Sequence, residues 1–60
     1  MKDLGKTIAK YRKEHKLNQS QLAKELENYD IYVKQNSISA WELGTATPNA
    51  RQFLALCEIL

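Results

Sequence analysis

Residues 34–43 read KQNSISAWEL, and where each of those side chains points decides what the rest of the chain must build. The apolar residues Ile38 and Trp41 are three apart, the spacing of one helix face. If that face is buried, Gln35, Asn36, Ser39 and Ala40 turn outward. An ordinary solvated helix face carries Lys and Glu, whereas Asn and Ser are poor in a helix interior unless their polar groups are used. Uncharged amides are also what bonds base edges, since Asn or Gln can bond adenine bidentately. On the residues alone, a reading surface and a plain solvated surface both remain open. Glu42 is a second oddity, because a carboxylate in the last turn faces the negative end of the helix macrodipole. Gly44 closes this helix, taking the left-handed conformation that ends so many.

Upstream, a first helix is predicted from Asp3 to Lys16, with Leu4, Ile8 and Tyr11 on one stripe at i, i+4, i+7. Arg12 leans toward the same inward side, four residues after Ile8. That is an odd place for a charge. A guanidinium can bond a carboxylate bidentately, so Arg12 is the natural partner of Glu42. The run NQSQLAKEL (18–26) predicts a second helix capped by Asn18, with Leu22, Ala23 and Leu26 buried. It fades through ENYD, and YDIYVK is a connection with some β character. Downstream, TATPN is a loop in which Pro48 stops continuation, and Asn49 caps a fourth helix from Ala50 to the end.

That fourth helix is apolar over a wide arc, at Phe53, Leu54, Leu56, Cys57, Ile59 and Leu60, and such an arc expects cover on two sides. With no C-cap in view, residues 1–60 read as one domain forming the front of a longer protein. The fold expected is all-α, compact and four-helical, or a five-helix domain cut short.

A single cysteine excludes an internal disulfide, and one His with one Cys cannot fill a structural zinc site. No cofactor is implied. The start MKDLGKTIAK is too charged for a secretory signal, and no apolar run approaches a membrane span, so the cytoplasm is expected. Net charge is +2, unevenly placed: residues 1–26 hold seven Lys/Arg against three acids, residues 27–60 two against four. A basic half suits a polyanion, but it equally suits plain solubility. His15 reads as packed or satisfying the helix dipole, since no nucleophile or carboxylate pattern accompanies it. Cys57 reads as a small core hydrophobe, Tyr29 and Tyr32 as cover over the core, and Trp41 as core.

Taken together, LGKTIAKYRKEHKLNQSQLAKEL and SISAWELGTATPN resemble the Xre/Cro-type helix-turn-helix domain of phage repressors and bacterial regulators, a lambda-repressor-like fold. The resemblance spans nearly the whole chain. It rests on the order of Leu4…Arg12, Leu17-Asn18-Gln19…Leu22-Ala23…Leu26, Ile38…Trp41-Glu42…Gly44 and Pro48. It implies that the second and third helices form the motif, with the third in the major groove. Gln35, Asn36 and Ala40 then face base edges beside Ser39, and Lys34 starts the recognition helix. Asn18 and Gln19 meet a phosphate, where free backbone N–H groups also favour an anion. Arg12 and Glu42 match a buried ion pair common in the family.

Two departures stand out. Residues 27–34 add positions where the family has a tight turn, which should lengthen the second helix or its loop and shift the recognition helix's angle. The loop GTATP is uncharged, so its phosphate contacts would come from hydroxyls such as Thr45 and from backbone N–H groups. The leading expectation is a transcription regulator, most simply a repressor, that binds double-stranded DNA as a homodimer. The alternative is a protein-interaction module using the fourth helix's apolar face. No acid–base or nucleophile constellation supports an enzyme.

Overall fold

Asn18 and Asn49 each begin a helix in the same way. The Asn18 side chain accepts from the backbone N–H of Gln21 at 2.7 Å, and the Gln21 side chain accepts from the N–H of Asn18 at 2.8 Å. Asn49 and Gln52 repeat the exchange at 2.8 Å in both directions. Each reciprocal box satisfies helix-end donors that would otherwise lack partners. The computed structural model describes residues 3–60; Met1 and Lys2 of the expected 1–60 domain lie outside the described residues. The helices are α1 (Leu4–Glu14), α2 (Gln19–Leu26), α3 (Gln35–Leu43) and α4 (Ala50–Ile59), with a 3-10 turn at Glu27–Tyr29.

Three of the helix ends use left-handed residues. Gly44 has φ 82, as expected of it. Lys16 (φ 58) and Asp30 (φ 60) do the same without being glycine. At Lys16 the first helix therefore ends earlier than its pattern suggests: Leu17 N–H reaches back to the Arg12 carbonyl at 3.1 Å and the half-buried Leu17 packs on the core. At Asp30, Ile31 N–H returns to the Leu26 carbonyl at 3.1 Å. The extra residues after α2 thus lengthen both the helix, by the 3-10 turn, and the connection that follows.

The core is one cluster drawn from every helix: Ile8 from α1, Leu22, Ala23 and Leu26 from α2, Ile38 and Trp41 from α3, Ala55 and Leu56 from α4, plus Ile31. Several expected core members are not in it. Tyr32, 73% exposed, does not cover the core, whereas Tyr29, 39% exposed, lines a depression with the core residues Ile31 and Ala55. Neighbouring side chains of an extended segment point to opposite sides; Ile31 is buried, Val33 half-buried, and Tyr32 between them faces out. Cys57 is exposed, and so is Leu54, because α4 turns Ala55 and Leu56 inward and a helix packed against a single layer buries one face. Tyr11, at the end of the α1 stripe, is also exposed.

The contact between α1 and α3 is the most extensive in the fold, and Gly5 makes it possible. A methyl group on Gly5 would sit 2.5 Å from the Glu42 carbonyl oxygen and closer still to that of Trp41. Both obstacles are backbone, so neither can swing aside. In an isolated helix Gly→Ala would gain about 1 kcal/mol. Here the collision opposes that gain, and overpacking of this kind costs about 1–3 kcal/mol. Gly5→Ala is therefore expected to lower the midpoint of chemical denaturation despite its better helix propensity. A midpoint equal to or above the parent's would show that α1 does not lie this close to α3.

Candidate nucleic-acid interface

The Arg12 guanidinium spans the gap between α1 and α3. Its Nε donates to Glu42 Oε2 at 2.6 Å and its Nη2 to Glu42 Oε1 at 3.1 Å, while Nη1 donates to the Leu17 carbonyl at 2.8 Å. Only 11% of the Arg12 side chain and 10% of the Glu42 side chain remain exposed. The pairing expected from their two awkward positions is present, and Arg12 additionally straps the turn that ends its own helix.

A chain of donors leads outward from this pair. Gln19 Nε2 donates to Glu42 Oε1 at 3.0 Å, Gln35 Nε2 donates to Gln19 Oε1 at 3.3 Å, and Ser20 Oγ donates to Gln35 Oε1 at 3.1 Å. An ionised carboxylate only accepts, so Gln19 must turn its NH₂ toward Glu42. Its oxygen is then left for the NH₂ of Gln35, whose own oxygen takes the Ser20 hydroxyl. Each amide has its orientation dictated by the one behind it. Gln35 keeps one N–H and one lone pair unused, on an exposed residue at the start of α3.

Gln19, Gln35, Asn36 and Ser39 line one shallow depression, and Lys34, Asn36, Ser37 and Ala40 line its neighbour with Trp41 and Ala46. The outward face of α3 and the N-terminus of α2 are thus one surface. Gln35, Asn36 and Lys34 are exposed on it; Ser39 and Ala40 are half-buried. Asn18 spends its carbonyl oxygen on the cap and keeps its NH₂. Lys34, the N-cap residue of α3, is exposed and lines the edge of this surface; an ammonium has no acceptor with which to cap a helix. Thr45 is exposed, with its hydroxyl donating to the Ala40 carbonyl at 3.3 Å. Ser20 was not singled out by its sequence, although its place within NQSQ, a run of four hydrogen-bonding side chains, is the signal that could have found it. His15 lies off this surface, exposed, with Nδ1 2.9 Å from the Tyr11 carbonyl at the end of α1.

Burial pushes the Glu42 carboxyl up, but hydrogen bonds from Arg12 and Gln19, with the charges of Arg12 and Lys13, outweigh it and hold the group below its ordinary value. The hydrogen bond to Glu42 raises Arg12, desolvation opposes it, and the Glu42 charge adds to the rise. Lys13 thus joins Arg12 in offsetting a carboxylate at the negative end of α3.

Among the described residues no helix is long and apolar enough to cross a membrane. The family model of the helix-turn-helix domain matches residues 5–60. No curated protein and no solved structure matches the chain.

Because Glu42 titrates lower in the fold than in the unfolded chain, its contribution to stability is complete above its ordinary value of 4.5 and is lost as pH falls through the lowered one. Thermal melts across pH should display this against a double variant, Arg12→Met with Glu42→Leu, which has nothing to titrate there. The difference in Tm between parent and variant should be constant above about pH 5.5 and shift against the parent below about pH 4.5. A pH-independent difference would mean that the ionised carboxylate adds nothing to the fold.

Proposed function

The chain belongs to the helix-turn-helix domain family, and from that premise we propose that it binds double-stranded DNA sequence-specifically as a transcription regulator inside the cell. In this reading α2 and α3 are the motif and α3 lies in the major groove, as in the Xre/Cro-type repressors that the sequence resembles. Two copies read two half-sites about one helical turn apart.

One observation carries the reading. The donor chain from Ser20 to Glu42 leaves Gln35, an exposed residue, with one N–H and one acceptor site unused. That is the complement of adenine in the major groove, which offers N7 as acceptor and the N6 amino group as donor. Asn36 stands beside it as a second amide, and Ser39 can bond any base edge. Gln19 and Asn18 sit at the α2 N-terminus with N–H groups to spare for a phosphate, and the N-terminal end of a helix favours an anion. Lys34 adds one charge. With so few cations, backbone attraction is weak and the salt slope shallow.

The apolar cleft between α1 and α4, lined by Leu4, Ile8, Phe53 and Leu56, favours a second reading as a protein-interaction module. Duplexes selected from a randomised pool decide between the two. Gln35→Ala and Asn36→Ala should fold like the parent, and each should lose about 1–3 kcal/mol of affinity for the selected duplex while barely changing on random DNA. Gln19→Ala should weaken binding to both, and should lose additional discrimination because it also releases Gln35. Circular dichroism serves as the folding control. Unchanged affinity of the Gln35 and Asn36 variants, or a pool that yields no enriched duplex, would return the face to ordinary surface.

A further inference from the structure

We propose that two copies of this chain pair through the exposed face of α4, antiparallel about a two-fold axis, with Arg51 of each copy against Glu58 of the other. The proposal specifies the surface behind the two-half-site reading and rests on that reading only for its purpose.

Arg51, Leu54 and Glu58 lie at i, i+3 and i+7 on α4, and all three are exposed. Leu54 is 65% exposed and shares a shallow depression with Tyr29, itself 39% exposed. Arg51 and Glu58 line the same depression. Seven residues apart, they stand about 10 Å from each other along the axis, beyond the reach of an intrahelical pair. Among the described residues the only ion pair is Arg12 with Glu42, so both charges flank an apolar strip without an intrachain partner.

Their placement selects the occupant. Arg51 and Glu58 are equally far from the midpoint between Leu54 and Ala55. A two-fold axis through that midpoint brings each Arg51 opposite the partner's Glu58 and lays one Leu54 against the other. The interface is self-complementary, the property a two-fold dimer requires. A parallel pair would set like charges against each other, whereas the antiparallel pair also opposes the helix dipoles favourably. The cleft between α1 and α4 is apolar but has no charged side chain in its lining to choose an occupant.

One helix face is well below the area of a stable dimer, so pairing in free solution is weak. Two copies on adjacent half-sites are held together by the duplex, and a weak contact then acts at high effective concentration.

Charge reversal tests the geometry by sedimentation equilibrium at millimolar protein. R51E and E58R both improve the match of α4 to its own dipole, so neither threatens the fold. Each alone should weaken self-association about tenfold, because it creates two like-charge pairs. An equimolar mixture of the two should form a 1:1 heterodimer, since every pair is then Glu against Arg. R51E/E58R in one chain should restore the homodimer. The proposal is overturned if the parent does not self-associate, if single reversals leave association unchanged, or if the mixture fails to recover it. Preference of the parent for the selected duplex over one of scrambled sequence measures DNA reading separately: absence of any preference would overturn that reading and leave the pairing result standing.

Discussion

Three helices meet at the carboxylate of Glu42. It belongs to α3, it receives a guanidinium from α1 and an amide from α2, and it lies almost out of contact with water. A charge in that position costs several kcal/mol in lost hydration unless its lone pairs are filled. Two are filled by Arg12 and one by Gln19. The carboxylate also sits where the α3 dipole is least welcoming, so the same two helices that position it must neutralise it. Gly5 belongs to the same constraint from the other side, since only a residue without a side chain lets α1 approach the last carbonyls of α3 closely enough.

Much of this was legible in the sequence, for reasons that are local. Helical spacing at Leu22, Ala23 and Leu26, and at Ile38 and Trp41, identified faces that are indeed buried. Asn18, Asn49 and Gly44 mark helix ends by side-chain chemistry or backbone freedom that a single residue carries. The failures are equally specific. Lys16 and Asp30 take left-handed conformations for which neither residue type is an unambiguous signal, so the periodic pattern overruns the end of α1 and leaves the stop after α2 unmarked. Gly5 reads as mere punctuation until another helix's backbone is known to lie against it. Tyr32, expected over the core, and Cys57, expected within it, are exposed because apolarity alone does not say which side of a segment is covered.

The candidate surface divides along the same line. Arg12 and Glu42 could be matched because each was awkward alone and each supplied what the other lacked. The bonds joining Ser20, Gln35 and Gln19 could not, because their formation depends on how α3 is set beside α2. That setting is made by residues 27–34, whose 3-10 turn and extended run have no strong local code. Polar residues on one helix can be recognised as outward-facing from periodicity; which of them touch across two helices is a tertiary fact.

The donor chain has a consequence for recognition that a list of exposed amides would miss. A free glutamine side chain gives up about 1.5–2 kcal/mol of rotamer entropy when it is immobilised. Gln19 and Gln35 are already held in the folded domain, so that cost falls on folding and not on binding, and preorganisation of this kind raises affinity without adding a contact. The holding is directional as well. It begins at an ionised acceptor and fixes which end of each amide meets which neighbour, so that the donor and acceptor left to Gln35 have settled places. With Lys34, at the N-cap, as the one cation beside α3, little non-specific attraction would be available to mask an error in that orientation. The ion pair that joins α1 to α3 therefore also sets the hydrogen-bond polarity of the amides beside it, so that the fold and, in the proposed reading, discrimination rest on the same carboxylate.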